Sequence, residues 1–160
     1  MKKVFVLLIV VVVSLTFTAC KGYTPFSCPL TKWSDGALEL YVNEQGTGYL
    51  LFEMAEETLI FDAEFVYGNK LCIYKHRVSA EQTVELVWEY FPLGINNQNK
   101  CTFGTANFKN EAYSDIFSDK LVFIKQCEIT SDDIEYVFYE VERDKQGNII
   151  QPRQTQVGIA

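Results

Sequence analysis

The sequence predicts an all-β chain, an antiparallel up-and-down meander of about eight strands closed as a small barrel, and three observations predict it. From residue 38 onward apolar and polar residues alternate over stretch after stretch, the period-2 signature of half-buried strands. Short turn sequences such as Asn43-Glu44-Gln45-Gly46 and Gly68-Asn69 join neighbouring stretches, which favours antiparallel pairing over helical crossovers. No segment repeats at a solenoid or propeller period. Sequential strands of this kind leave exposed edges, and closure into a barrel removes them.

The elements follow in order. Trp33-Ser34-Asp35-Gly36 precedes the first predicted strand, on which Leu38, Leu40 and Val42 share a face. Gly46 suits a positive φ in the turn, and Leu50, Phe52 and Met54 line the next strand, completing a hairpin. Leu59, Phe61, Ala63, Phe65 and Tyr67 form a long third strand, and Gly68-Asn69 turns into Leu71 and Ile73. Val84 to Phe91, Cys101 to Phe108, Leu121 to Gln126 and Ile134 to Glu142 supply the rest. Ser79-Ala80-Glu81-Gln82 has the form of a helix capping box, but the Val, Trp, Tyr and Phe content after it favours a strand. One short helix is expected near 110–117, capped by Asn110 and packing Ala112, Ile116 and Phe117 inward. The inward candidates Leu40, Phe52, Phe61, Phe65, Ile73, Trp88 and Phe123 are large enough to fill a small barrel, leaving at most a shallow groove at one rim.

The first residues read as an address. Lys2 and Lys3, the ten apolar residues Val4 to Val13 and the small residues up to Ala19 have the order of a secretory signal, and the apolar stretch is short of the roughly 20 residues a membrane span needs. Phe17-Thr18-Ala19-Cys20 resembles the lipobox of bacterial lipoproteins, with Phe17 where that family usually carries an aliphatic residue. The resemblance implies cleavage before Cys20 and lipidation of its thiol, hence a palmitate-type anchor and a place in the bacterial cell envelope on the extracytoplasmic side of a membrane. The expected organisation is a signal peptide over 1–19, the lipidated cysteine and a tether over 20–30, the β-domain over 31–152 and a polar tail over 153–160. From Trp33 to the strand following Ser118-Asp119-Lys120, the pattern is also similar to small lipocalin-like (calycin-like) lipoproteins, without their Gly-x-Trp entrance motif.

The charge balance, 14 basic against 21 acidic residues and −7 net, excludes a phosphate-tracking nucleic-acid binder. Loss of Lys2 and Lys3 with the signal leaves 12 basic residues against 21, or −9. Setting Cys20 aside, Cys28, Cys72, Cys101 and Cys127 are candidates for two disulfides in an exported chain; three pairings are open, as is the alternative of buried free thiols. No Cys-x-x-Cys or paired-histidine spacing points to a metal, no glycine-rich phosphate cradle is present, and no cofactor is expected. Asp132-Asp133 and Asp144-Lys145-Gln146-Gly147-Asn148 fit turns better than calcium loops, whose alternating ligands and terminal Glu they lack.

His76 is the one histidine, so any Ser-His-Asp or Cys-His chemistry would run through it, and its place in Lys75-His76-Arg77 at a strand end reads as solvated. Asp62 with Glu64, and Glu85 with Glu89, would each share a strand face, which is the arrangement of a carboxylate pair and equally of a solvated polar face. No catalytic residue is assigned. After the signal, which holds Phe5 and Phe17 of the 12 Phe, the chain keeps 10 Phe, 9 Tyr and 2 Trp to pack a core or line a binding rim. The expected function is a membrane-anchored, non-enzymatic binding or interaction module for a small apolar molecule, a glycan or an envelope protein. The alternatives are an envelope hydrolase using surface carboxylates and a purely structural envelope protein.

Overall fold

A computed structural model describes residues 30–43, 45–66, 69–78, 84–96, 99–136, 138, 145 and 155–157. Eight antiparallel strands close into an up-and-down barrel of the small lipocalin-like kind: β1 (Thr31–Ser34), β2 (Leu38–Val42), β3 (Thr47–Glu53), β4 (Thr58–Val66), β5 (Lys70–Lys75), β6 (Val84–Asn96), β7 (Lys100–Lys109) and β8 (Lys120–Glu128). Each pairs with the next, and β8 pairs back onto β1 to complete the ring. A ninth strand, β9 (Thr155–Val157), runs parallel to β6 at Val84–Leu86, within the segment read as a polar tail.

The strand count is as expected, but one strand is not where the pattern put it. The eighth staves the barrel from its amino-terminal side: Thr31–Ser34 is a strand, with Thr31 and Trp33 facing inward and Trp33 donating from Nε1 to Thr31 Oγ1 at 2.9 Å. Of the strand expected over 134–142, the described residues Ile134, Glu135, Tyr136 and Phe138 are not in a strand. Four residues alternating Thr-Lys-Trp-Ser carry too little apolar character to be recognised. They hold as a strand because neighbours on both sides satisfy their backbone groups.

Turn chemistry fixes the β2–β3 register. Asn43 Oδ1 accepts from the amides of Gln45 and Thr47, and Gly46 has φ 76°. Beyond it the backbones of β2 and β3 approach so closely that a Cβ on Gly48 would collide with the Tyr41 carbonyl. At the β1–β2 turn Asp35 Oδ1 accepts from Ala37 and Leu38, and Gly36 takes φ 102°.

The interior is a packed aromatic core. Trp33, Leu40, Leu50, Phe61, Phe65, Ile73, Trp88, Phe103, Phe117 and Phe123 are buried together, and Phe52 packs against them half-buried. Buried polar tips are satisfied: Trp88 Nε1 donates to Thr105 Oγ1 at 3.0 Å and Tyr90 Oη to the Ser118 carbonyl at 2.7 Å. The helix expected near 110–117 is instead a single 3-10 turn, Glu111–Tyr113, followed by further turns. Asn110 caps it through Ala112 N, as expected, but Ala112 itself is exposed. Tyr113, Ile116 and Phe117 do the packing, and Phe117 closes that end of the barrel with its ring 5.0 Å from Phe61 and 5.9 Å from Trp88.

Candidate functional site

Outside this packed core, the outer wall of the barrel falls into two unlike halves. On β4 the inward residues are Phe61, Ala63 and Phe65, so Asp62, Glu64 and Val66 point out. The sequence expects Asp62 and Glu64 to be solvated. They are buried instead, at 5% and 1% exposure. A second apolar layer outside the barrel accounts for part of this: Cys72, Tyr74, Val84 and Leu86 form a cluster separate from the interior, with Val66 and Phe108 against it. Tyr49, outward on β3 and 1% exposed, is covered by residues that follow β8: Phe138 stacks on it at 5.6 Å, Tyr136 meets it edge-on at 5.4 Å, and its hydroxyl accepts from Glu135 N at 3.4 Å.

His76 stands at the margin of this covered wall. Its Nδ1 lies 2.9 Å from Asp62 Oδ1, while Asp62 Oδ2 accepts from the Arg77 amide at 3.2 Å. Pairing of Nδ1 with a carboxylate that only accepts requires the Nδ1–H tautomer. The edge of the ring lies against Tyr136, with centroids 6.1 Å apart, and a quarter of the side chain is exposed. His76 and Asp62, which the sequence treats as separate candidates, are therefore one pair.

The other carboxylate pair is taken apart. Leu86 opposes Tyr74 and Trp88 opposes Ile73, so Val87 is an extra residue on β6, and this bulge puts Glu85 and Glu89 on opposite faces. Glu85 pairs with Lys75 at 2.8 Å and Glu89 with Lys70 at 2.8 Å, and the latter bond raises the Lys70 pKa. Neither forms a two-carboxylate centre. Among the described residues, no three His, Cys, Asp or Glu side chains come together to hold a metal ion. Ser131–Asp133 is a 3-10 turn in which Asp133 accepts from the Thr130 amide and hydroxyl, holding its carboxyl below the usual range.

Cys72, Cys101 and Cys127 are free thiols, so the expected bridges do not form among them. Cys101 faces the interior and Cys72 the outer layer, on opposite sides of the wall, while Cys127 is exposed. Burial pushes both Cys72 and Cys101 up to about 12, which makes them poor nucleophiles at neutral pH. Cys20 and Cys28, with the rest of the signal and all of the tether except Leu30, lie outside the described residues, as does all of 144–148 except Lys145.

Two open features complete the surface. A shallow groove of about 260 Å³ lies at the barrel rim, lined by Ser34, Gly36, Ala37, Glu39, Phe52 and Glu53. Glu39 is already engaged there, with Lys32 at 2.6 Å and the Tyr41 hydroxyl at 3.1 Å. On the outside of β6–β8, Phe91, Leu93 and Ile124 are 43%, 53% and 51% exposed. Phe91 and Leu93 lie over Gly104, whose missing side chain makes room for them. Sequence reasoning does not reach this face, although Phe91-Pro92-Leu93 carries a signal for it. There β6 pairs with β7 but has run past the end of β5, and a proline, which lacks an N–H, sits on such an open edge.

Comparison of the chain with protein-family models, with curated proteins and with solved structures finds no match at the level of a family, a relative or a fold neighbour.

Proposed function

We propose that this protein is a lipid-anchored extracytoplasmic lipoprotein that acts as a non-enzymatic interaction module in the cell envelope, engaging its partner on the outer wall of the barrel. The observation that carries the binding half of this reading is the filled interior. With Phe61, Phe65, Trp88, Phe103, Phe117 and Phe123 packed together, the interior formed by the described residues leaves little room for a small apolar molecule, which favours a surface-engaged partner. The anchoring half rests on Lys2-Lys3, the apolar run and Phe17-Thr18-Ala19-Cys20. Mass spectrometry of the membrane-fraction protein tests it: the expected species begins at a diacylglycerol-modified Cys20, and a soluble product with an unmodified Cys20 overturns it.

One observation favours a second reading, an envelope hydrolase. His76 is oriented by a buried carboxylate through Nδ1, the arrangement that prepares Nε2 for proton transfer. On that reading His76→Ala and Asp62→Asn abolish any turnover found on ester or glycoside substrates. On the interaction reading both variants keep partner binding.

A further inference from the structure

We infer that the open outer face of β6–β8 is a membrane-docking face, which lays the barrel on an anionic bilayer beside its own anchor. This deepens the anchored reading and rests on it. Three independent features meet on this face.

The first is apolar exposure without cover. Phe91 and Leu93 on β6 and Ile124 on β8 are each about half exposed, with Val122 half-buried beside them. Their outward direction follows from register: Phe103, Leu121 and Phe123 point into the core, so Gly104, Val122 and Ile124 point out, and Phe91 lies across Gly104. The β6–β7 hairpin projects, because Tyr90 opposes Leu71 near the start of β5 and residues beyond it on β6 have passed that strand's end.

The second feature is charge. In a chain of net charge −7, the cations on this face are Lys100, opposite Ile124, and Lys120, opposite Gly104. Both are exposed, and among the described residues neither makes an ion pair, whereas Lys32, Lys70, Lys75, Lys109 and Lys125 each have a carboxylate within 3.5 Å. Apolar side chains flanked by unpaired lysines suit the boundary between acyl chains and anionic headgroups. Asp119, the carboxylate next to Lys120, is engaged by Lys109 at 3.5 Å.

The third feature is the position of the tether. Leu30 lies at the end of β1 that pairs with the end of β8, where Ile129 N donates to the Leu30 carbonyl at 2.9 Å. Four residues along β8, roughly 13 Å at about 3.3 Å per residue, separate Glu128 from Ile124. The ten residue steps from Cys20 to Leu30 reach at most about 35 Å. A tether that short, leaving from the strand that borders this face, keeps the face within reach of the bilayer holding Cys20. The acidic body as a whole is repelled by anionic lipid, so the face with unpaired lysines is the one that can approach.

The test uses the full, processed chain reconstituted in vesicles of three parts phosphatidylcholine to one part phosphatidylglycerol, with brominated acyl chains as quencher. Trp33 and Trp88 are both 1% exposed, so a tryptophan introduced by Leu93→Trp is the one the lipid can reach, and the same change at the remote, 82% exposed Val78 is the control. The expected result is strong quenching for Leu93→Trp and little for Val78→Trp. Lys100→Gln with Lys120→Gln should then lower the docking equilibrium constant by about fivefold per lysine, the equivalent of ~1 kcal/mol each, and vesicles without the anionic lipid should weaken docking likewise. The unshifted emission of Trp33 and Trp88 reports that each variant is folded. Protein that floats with the vesicles but shows no quenching at residue 93 overturns the docking face and leaves the anchor standing. Protein that does not float overturns the anchor; adding excess anionic vesicles then decides the face alone, and absence of quenching overturns that too. A dimer in solution that buries residue 93 against a second copy also overturns it.

Discussion

The two halves of the outer wall invert the ordinary rule of sheet polarity. Over β3–β6 the outward side carries Asp62 and Glu64, and that side is covered. Over β6–β8 it carries Phe91, Val122 and Ile124, and that side is open. In each half the polarity pattern alone gives the wrong exposure, because period 2 says which residues share a face and nothing about what later packs on it. The chain after β8 turns one face into a second core, at Tyr49, Tyr136 and Phe138. Among the described residues the opposite face has no such cover and keeps an apolar surface. A charge is buried where it finds partners, as Asp62 does, and only apolar residues that are left in water together, unlike the isolated Val78, form a patch that calls for an explanation.

The sharpest way to break this comparison is to truncate an aromatic in each core. Phe65→Ala in the interior and Tyr49→Ala on the covered wall should each cost about 3–5 kcal/mol, the range for buried aromatic truncation. Urea unfolding followed by circular dichroism measures both. If Tyr49→Ala costs less than about 1 kcal/mol, the cover is not a second core.

Thiol reactivity separates the same surfaces. Burial raises Cys72 and Cys101 from 9.0 to about 12, so at pH 8 each carries about a thousandfold less thiolate than a thiol at the ordinary value. Iodoacetamide at pH 8 should therefore label Cys127, which is exposed on β8, and spare Cys72 and Cys101 until the chain unfolds. Because the folded state favours the neutral thiol, its contribution to stability is whole below pH 9 and is lost as pH rises through about 12. The melting temperature should fall across that window. Rapid labelling of Cys72 in the native protein would show that the covered wall opens.

Replacing Asp62 with Asn removes the carboxylate from His76 Nδ1 and from the Arg77 amide while keeping its shape. The expected loss is about 1.5–3 kcal/mol, the worth of hydrogen bonds to a buried charged group. Glu53→Gln, at an exposed position, should change stability by less than about 0.5 kcal/mol. Equal effects at the two sites would mean that the pair at His76 is merely a surface contact.

Legibility follows the same division. Leu40, Phe61, Phe65, Ile73, Trp88 and Phe123 could be read as interior because strong alternation and bulky side chains leave one arrangement for a closed sheet. Gly46 could be read as a turn residue from its chemistry alone, and its φ of 76° agrees. Thr31–Ser34 could not, since a four-residue strand takes its stability from partners distant in sequence, and neither could the bulge at Val87 that separates Glu85 from Glu89. The pairing of Asp62 with His76 depends on the β4–β5 register, which opposes Asp62 to Tyr74 two residues before the histidine, and the burial of that pair depends on packing from a segment more than 50 residues later.

A smaller effect than that of a core truncation is expected at the open face, and it is informative because it is small. Phe91 and Leu93 rest on Gly104 and are about half exposed, so Phe91→Ser and Leu93→Ser remove only part of the area that a core truncation removes. Each should lower the unfolding free energy by about 1 kcal/mol, the order expected for half the apolar area of such a side chain. A loss of 3 kcal/mol or more at either residue, comparable to a core truncation, would place it in the structural core. A cost of about 1 kcal/mol leaves a contiguous apolar patch that contributes little to folding, the kind of surface on which a docking test is decisive.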